Sequence, residues 1–150
     1  MAVRTSAGAV ISLTSGVPST FDSTGYLALT YTTLGEAVDI GELGRVYTVV
    51  THSPVGNRST QKLKGSYDEG KLVLSVGLDE ADAGQILAQA ALLLDNLYAF
   101  KIVLQSTKIL YFQGLVSGFK KQIGTVNKIT TAALTVDIST SSTGVGIILV

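Results

Sequence analysis

The sequence predicts a mainly β protein with one inserted α-helix, closed as a small sandwich or barrel. Three observations carry this expectation. Apolar and polar residues alternate in separate segments, most cleanly at Leu72, Leu74, Val76 and Leu78, at Tyr98, Phe100, Ile102 and Leu104, and at Leu134, Val136 and Ile138. Clusters of Gly, Pro, Asn, Asp and Ser separate those segments at short spacing, as turns do. One stretch, residues 79–96, changes period. Ala83, Ile86, Leu87, Ala90, Ala91 and Leu94 recur there at the spacing of a helix that buries one face.

That helix starts with an N-cap at Asp79, with Glu80 and Asp82 adding negative charge at the positive end of its dipole. Asp95 and Asn96 close it. Ile86, Leu87, Ala90 and Leu94 are its expected packing residues. The run Leu92, Leu93, Leu94 makes the last turn apolar nearly all round, so that end should be enclosed on several sides.

The remaining elements follow in chain order. Residues 1–20 are small and Thr/Ser-rich and read as an extended arm with a short strand at 9–13. Asp22 caps a short helix over 22–30, with Tyr26 and Leu29 inward and Gly25 as a weak point. Residues 31–40 read as one strand and 46–52 as the next, with Tyr47, Val49 and Thr51 on one side. Residues 58–64 form a third extended segment, 65–70 a polar loop, and 71–78 an alternating strand. After the helix come strands at 98–105, 109–119 and 128–139. A Ser/Thr/Gly linker over 139–146 leads to an apolar end at 147–150.

Composition narrows the function. The chain has 150 residues, 46% of them apolar and 15% charged, with a formal net charge of zero. One domain is the expectation at that length. Soluble domains usually carry about 25% charged residues, and a charge-poor, neutral surface favours self-association. No basic excess is present to grip nucleic acid. Without cysteine there is no disulfide or thiol chemistry. No apolar run approaches the ~18 residues of a membrane-spanning helix, and the N-terminal segment lacks the form of a signal peptide.

Catalytic constellations are missing. His52 is the single histidine, in a strand, with no Ser or Asp at catalytic spacing and no metal-ligand cluster. The acids Asp79, Glu80 and Asp82 are explained by helix capping. Neither form of phosphate-binding Gly-rich loop occurs. The expectation is a protein that is not an enzyme and uses no cofactor or metal. Two charge groups remain: basic Arg58, Lys62, Lys64 and Lys71, and acidic Glu36, Asp39 and Glu42 with only Arg45 to balance them. Either both are solvated faces, or they meet across copies of the chain, as complementary patches in a head-to-tail ring do.

Residues 20–45, TFDSTGYLALTYTTLGEAVDIGELGR, together with 46–65, VYTVVTHSPVGNRSTQKLKG, and the helix segment beginning LDEADAGQI at residue 78 resemble the tail tube proteins of long-tailed bacteriophages. The resemblance runs in order over about residues 18–140. It implies a single tail-tube domain over 1–150, sandwich- or barrel-like with one helix, with extended arms at 1–20 and 139–150 that order on assembly. It implies six-membered rings stacked into a hollow tube that delivers double-stranded DNA without binding it specifically. The partners it implies are further copies of the chain, a tape-measure protein and other tail proteins, in a virion assembled in the bacterial host cytoplasm without membrane insertion.

DNA must slide in such a tube, so the bore should be neutral or acidic. Glu36, Asp39 and Glu42 are the expected lumen-facing residues. Arg58, Lys62, Lys64, Asp68 and Glu69, in the loop over 54–70, are the expected contacts between rings. Two other readings compete: a capsid decoration or tail-terminator protein, and a monomeric ligand-binding β-barrel lined by Tyr98, Phe100, Tyr111 and Phe112.

Overall fold

A computed structural model describes residues 3–150. Ten strands and two helices follow in the order β1 (Val10–Ser15), α1 (Ser23–Leu27), β2 (Thr32–Thr33), β3 (Ala37–Asp39), β4 (Val46–His52), β5 (Gln61–Asp68), β6 (Lys71–Gly77), α2 (Ala83–Leu92), β7 (Tyr98–Val103), β8 (Ile109–Gln122), β9 (Thr131–Ser139) and β10 (Ile148–Leu149). The main sheet runs β2-β1-β7-β8-β9-β6-β3, with β10 on β8, while β4 and β5 pair only with each other. The predicted class holds: a curled, mostly β half-barrel with one substantial helix.

The long β8 organises the curl. Its first part pairs with β7 up to Gly114, and its later part pairs with β9 through a bulge between Val116 and Gly118. The two halves therefore share one strand and close over a common core. Ile11, Leu13, Leu72, Leu74, Val76, Phe100, Ile102, Phe112, Leu134 and Val136 fill it. Phe100 and Phe112 stack at 5.3 Å between centroids, and Tyr111 stacks on Tyr26 at 5.3 Å. Tyr98, Phe100, Tyr111 and Phe112 are each at most 3% exposed. Tyr98, Phe100 and Phe112 fill the core, while Tyr111 packs on the opposite face of the sheet beside Tyr26, so the four do not line one cavity as the ligand-barrel reading needs.

Several boundaries differ from the expectation. The segment over 1–20 is not all arm, because Ile11 and Leu13 are buried and β1 pairs with β7 along its whole length. The arm over 139–150 likewise adds β10 to β8 and turns through hydrogen bonds centred on Ser141. Both strands find their partners within the single chain. Residues 31–40 divide into β2 and β3, since Glu36 sits at φ 60, in the left-handed region. Its carbonyl accepts from the Gly77 N–H at 2.8 Å. The polar loop expected over 65–70 is mostly the end of β5.

Helix α2 begins three residues later than expected. Asp82 is the N-cap, accepting from Gln85 N at 3.0 Å and from Gly35 N at 3.1 Å. Asp79 instead turns on Ala81 N. The buried face is Gly84, Gln85, Ala88 and Ala91. Of the expected packing residues only Leu87 packs on the core; Ile86, Ala90 and Leu94 are exposed. Small residues explain the rotation, because they let the helix backbone approach the sheet closely. A Cβ at Gly84 would lie 2.3 Å from Thr33 O and 2.6 Å from Leu34 Cα. Gly84→Ala should therefore force the helix outward and cost about 1–3 kcal/mol, read by urea unfolding.

Helix α1 lies on the opposite face of the sheet. Asp22 caps it, accepting from Gly25 N at 2.8 Å, and this hydrogen bond holds its carboxyl below the usual range. Gly25 is required, not weak: a Cβ there would collide with the Thr20 carbonyl. Tyr26 is fully buried beneath the helix beside Ala99 and Tyr111, with Tyr31 donating to the Tyr26 carbonyl at 3.0 Å. Burial pushes the Tyr26 phenol up to about 12 and raises Tyr31 and Tyr111 in the same direction. A phenol with a raised folded pKa contributes stability below its unfolded value near 10. That contribution should be lost as pH rises from about 10 through 12. Alkaline unfolding with delayed tyrosinate absorbance checks this. Ionisation of all six tyrosines near pH 10 with the fold intact would contradict it.

Candidate assembly surfaces

No residue of β4 or β5 enters the buried core, and most of both strands is exposed. A two-stranded ribbon has little stability alone, so this hairpin is held at its root. Arg45 Nε donates to Glu69 Oε1 at 2.7 Å across the base of the ribbon, with the Glu69 side chain 2% exposed. The Arg45 guanidinium lies 3.9 Å over the Tyr67 ring, and Tyr67 Oη donates to Gly144 O at 3.0 Å. A Cβ at Gly146 would meet the Glu69 carboxyl. The C-terminal segment is thus the seat on which the hairpin root rests.

The ribbon has two unlike faces. Tyr47, Val49 and Thr51 pair by register with Tyr67, Lys64 and Lys62, and Lys64 Nζ lies 4.7 Å over the Tyr47 ring. Val50 and Leu63 pair on the opposite face and remain 50% and 66% exposed. Among the expected ring-contact residues, Arg58, Lys62 and Lys64 do stand on the exposed hairpin. Asp68 stays exposed and closes a local turn, accepting from Gly70 N at 2.9 Å. Glu69 is buried and paired with Arg45, so it is not available as a contact. Sequence spacing alone could not reveal a pair 24 residues apart.

A second surface is the uncovered face of β6, β9 and the later part of β8. Register places Lys71, Asp137 and Leu115 in one row, Val73, Thr135 and Gly118 in the next, then Asp39, Ser75, Ala133 and Lys120. Lys71 and Asp137 approach to 3.8 Å. Asp39 stands at the margin of this face, and Glu36 Cβ lies beside Gly77 on the same side. Glu42 is apart from both, in the hollow at the hairpin root with Leu43, Arg45 and Lys71. The structure thus brings Glu36 and Asp39 together on one face and leaves Glu42 elsewhere.

The end of α2 is a third surface. Leu92, Leu93 and Leu94 are 37%, 84% and 49% exposed, so the chain itself does not enclose them. Of the three, Leu94 borders a groove with Val17, Leu97 and Tyr98. Among the described residues no three His, Cys, Asp or Glu side chains converge as metal ligands. No helix among them is long and apolar enough to cross a membrane. His52 is exposed on β4.

No protein-family profile and no curated protein sequence matches the chain. Solved structures do. A chain of the six-fold symmetrised cryo-EM structure of the anti-feeding prophage (AFP) baseplate superposes with a TM-score of 0.72, at 12% identity, covering 100% of this chain and 97% of that one. The SPP1 tail tube, solved by solid-state NMR and cryo-EM, gives 0.62 at 11% identity over 94% of this chain and 75% of that chain. The chain has the tail-tube fold. The same fold extends to the PVC sheath/tube terminator of an extracellular contractile injection system, with a TM-score of 0.62 at 7% identity and 100% and 98% coverage.

Proposed function

We propose that the chain is the repeating structural subunit of a phage-type tail tube, not an enzyme. Six copies close head to tail into a ring, and rings stack into a hollow tube that conducts double-stranded DNA. The observation that carries this reading is an architecture incomplete as a monomer: a curled sheet with one polar face bare and a hairpin with no core beneath it. The tail-tube fold supports it. Head-to-tail contacts that close by rotation produce rings, and joining sheet edges between copies removes edges that a lone subunit exposes.

In this reading the bare face of β6, β9 and β8 is the wall of the bore, with Glu36 and Asp39 on its margin. Small hydroxyl side chains and a nearly balanced set of charges give DNA no basic track to hold. The hairpin reaches between rings. Tape-measure and other tail proteins are the further partners, and the particle is a virion tail built in the bacterial host cytoplasm. Sedimentation of the concentrated protein should give masses in multiples of six chains. A second reading, a ring that terminates a tube, is favoured by the full-length likeness to the sheath/tube terminator. Single rings that never stack would select it, and a monomer at every concentration would reject both.

A further inference from the structure

The loop joining β8 to β9 combines bare apolar side chains with unpaired bases. Every residue from 120 to 129 is exposed. Ile123, Val126 and Ile129 are 70%, 98% and 82% exposed, and Lys120, Lys121 and Lys128 stand among them. Between Asp95 and Asp137 the chain holds five lysines and no acid. None of the three loop lysines forms an ion pair among the described residues. Glu80 shares a hollow with Lys121 without pairing with it. The loop has a definite shape. Gly124 turns the chain at φ 73, and Lys128 N donates to Thr125 O at 3.1 Å. Leu78 N holds the base of the loop through Thr130 O at 3.0 Å. Three apolar side chains thus stand uncovered on a shaped tip ringed by positive charge.

We propose that this tip docks on an anionic lipid surface. Ile123, Val126 and Ile129 enter the boundary between headgroups and acyl chains, and Lys120, Lys121 and Lys128 bind lipid phosphates around them. Three features select this partner. The tip lies past the last ladder pair, Gln122 with Thr131, so it offers no free strand edge to an added peptide. Its bases flank its apolar residues on both sides, the arrangement in which long lysine stems reach headgroups while apolar side chains sink. Its charge has no acidic partner within the chain, so the complement must come from an anionic surface. The contact is a surface one, with the strands outside the membrane. The inference goes beyond the tube reading and rests on it in one respect. There β8 and β9 form the wall of the bore, so their loops repeat round one mouth of a ring, where weak contacts multiply into a firm one. In a stack, the terminal ring exposes this crown.

The test is co-sedimentation with vesicles, comparing phosphatidylcholine alone with an equimolar mixture of phosphatidylglycerol and phosphatidylcholine. Binding to the mixed vesicles should exceed binding to the neutral ones by about tenfold or more, and should fall with added salt. K120Q/K121Q/K128Q should weaken it about a hundredfold. I123S/V126S/I129S should weaken it by about tenfold or more, and thermal unfolding should be unchanged in both variants. Val126→Trp gives the chain its one tryptophan, whose emission should shift to the blue on mixed vesicles. Equal binding to both kinds of vesicle, binding that survives the serine changes, or an unshifted tryptophan overturns the proposal. Variants that lose ring stacking while binding vesicles as before would also overturn it, assigning the tip to a second copy. Monomers and assemblies are separated by size exclusion before each measurement. Rings that ignore anionic vesicles overturn this inference and leave the tube standing. Vesicle binding by a chain that never assembles supports the inference and overturns the tube.

Discussion

Replacing Gln85 with Leu is expected to cost about 2–4 kcal/mol of stability, although the volume hardly changes. Gln85 is fully buried on α2 and uses both ends of its amide. Its Oε1 accepts from Asp79 N at 3.0 Å, and its Nε2 donates to Gly77 O at 2.8 Å and Gly35 O at 3.2 Å. One side chain thereby ties together the end of β6, the turn before β3 and the start of α2. Leucine keeps the packing and leaves three backbone groups without their partner, each worth about 1–3 kcal/mol where water cannot reach it. Urea unfolding followed by far-UV circular dichroism measures the cost. Faster amide exchange around Gly35 and Asp79 should accompany it. A loss under about 1 kcal/mol would mean that these groups find other partners.

Excising the hairpin should do the opposite: abolish assembly and spare the fold. A Gly-Ser linker from Arg45 to Glu69 removes β4 and β5, which contribute nothing to the buried core. Core packing through Phe100, Phe112 and Leu134 is untouched, so cooperative unfolding should persist, lowered only by the lost contacts of Tyr67. Rings or tubes should not form, because the arm between copies is gone. Tubes that still form from a folded, hairpin-less chain would show that the ribbon is not an assembly element.

Much of this fold is legible in the chain because alternation and burial coincide. Leu72, Leu74 and Val76 on β6, and Leu134, Val136 and Ile138 on β9, face the core as their spacing implies. Asp22 announces α1 because a cap acts within three residues. The failures share a cause as well. Helix α2 packs through Gly84, Ala88 and Ala91, and a hydrophobicity pattern ranks Ile86 and Leu94 above them, although only the small residues admit a close backbone. The Asp82-Ala83-Gly84-Gln85 spacing did carry a usable signal, that of a capping box; two nearby acids, Asp79 and Glu80, competed with it. The arms were underestimated because Ile11 and Ile148 find their partners far away in sequence, on β7 and β8.

The candidate surfaces divide in the same way. Lys62 and Lys64 were legible as exposed bases from their place in an alternating strand. Glu69 was not separable from Asp68 by sequence, yet one is buried against Arg45 and the other caps a turn. Glu36 and Asp39 share a face only because a bulge brings Ala37 opposite Val76 and Asp39 opposite Ser75. Local propensity does not foresee that irregularity.

Electron microscopy of the purified protein at high concentration and low salt tests the central claim most directly. The account predicts hollow tubes of stacked six-fold rings, with the rows of Ser75, Ala133 and Thr135 facing an open bore. Particles that remain single subunits at every concentration, or filaments without a bore, would contradict it.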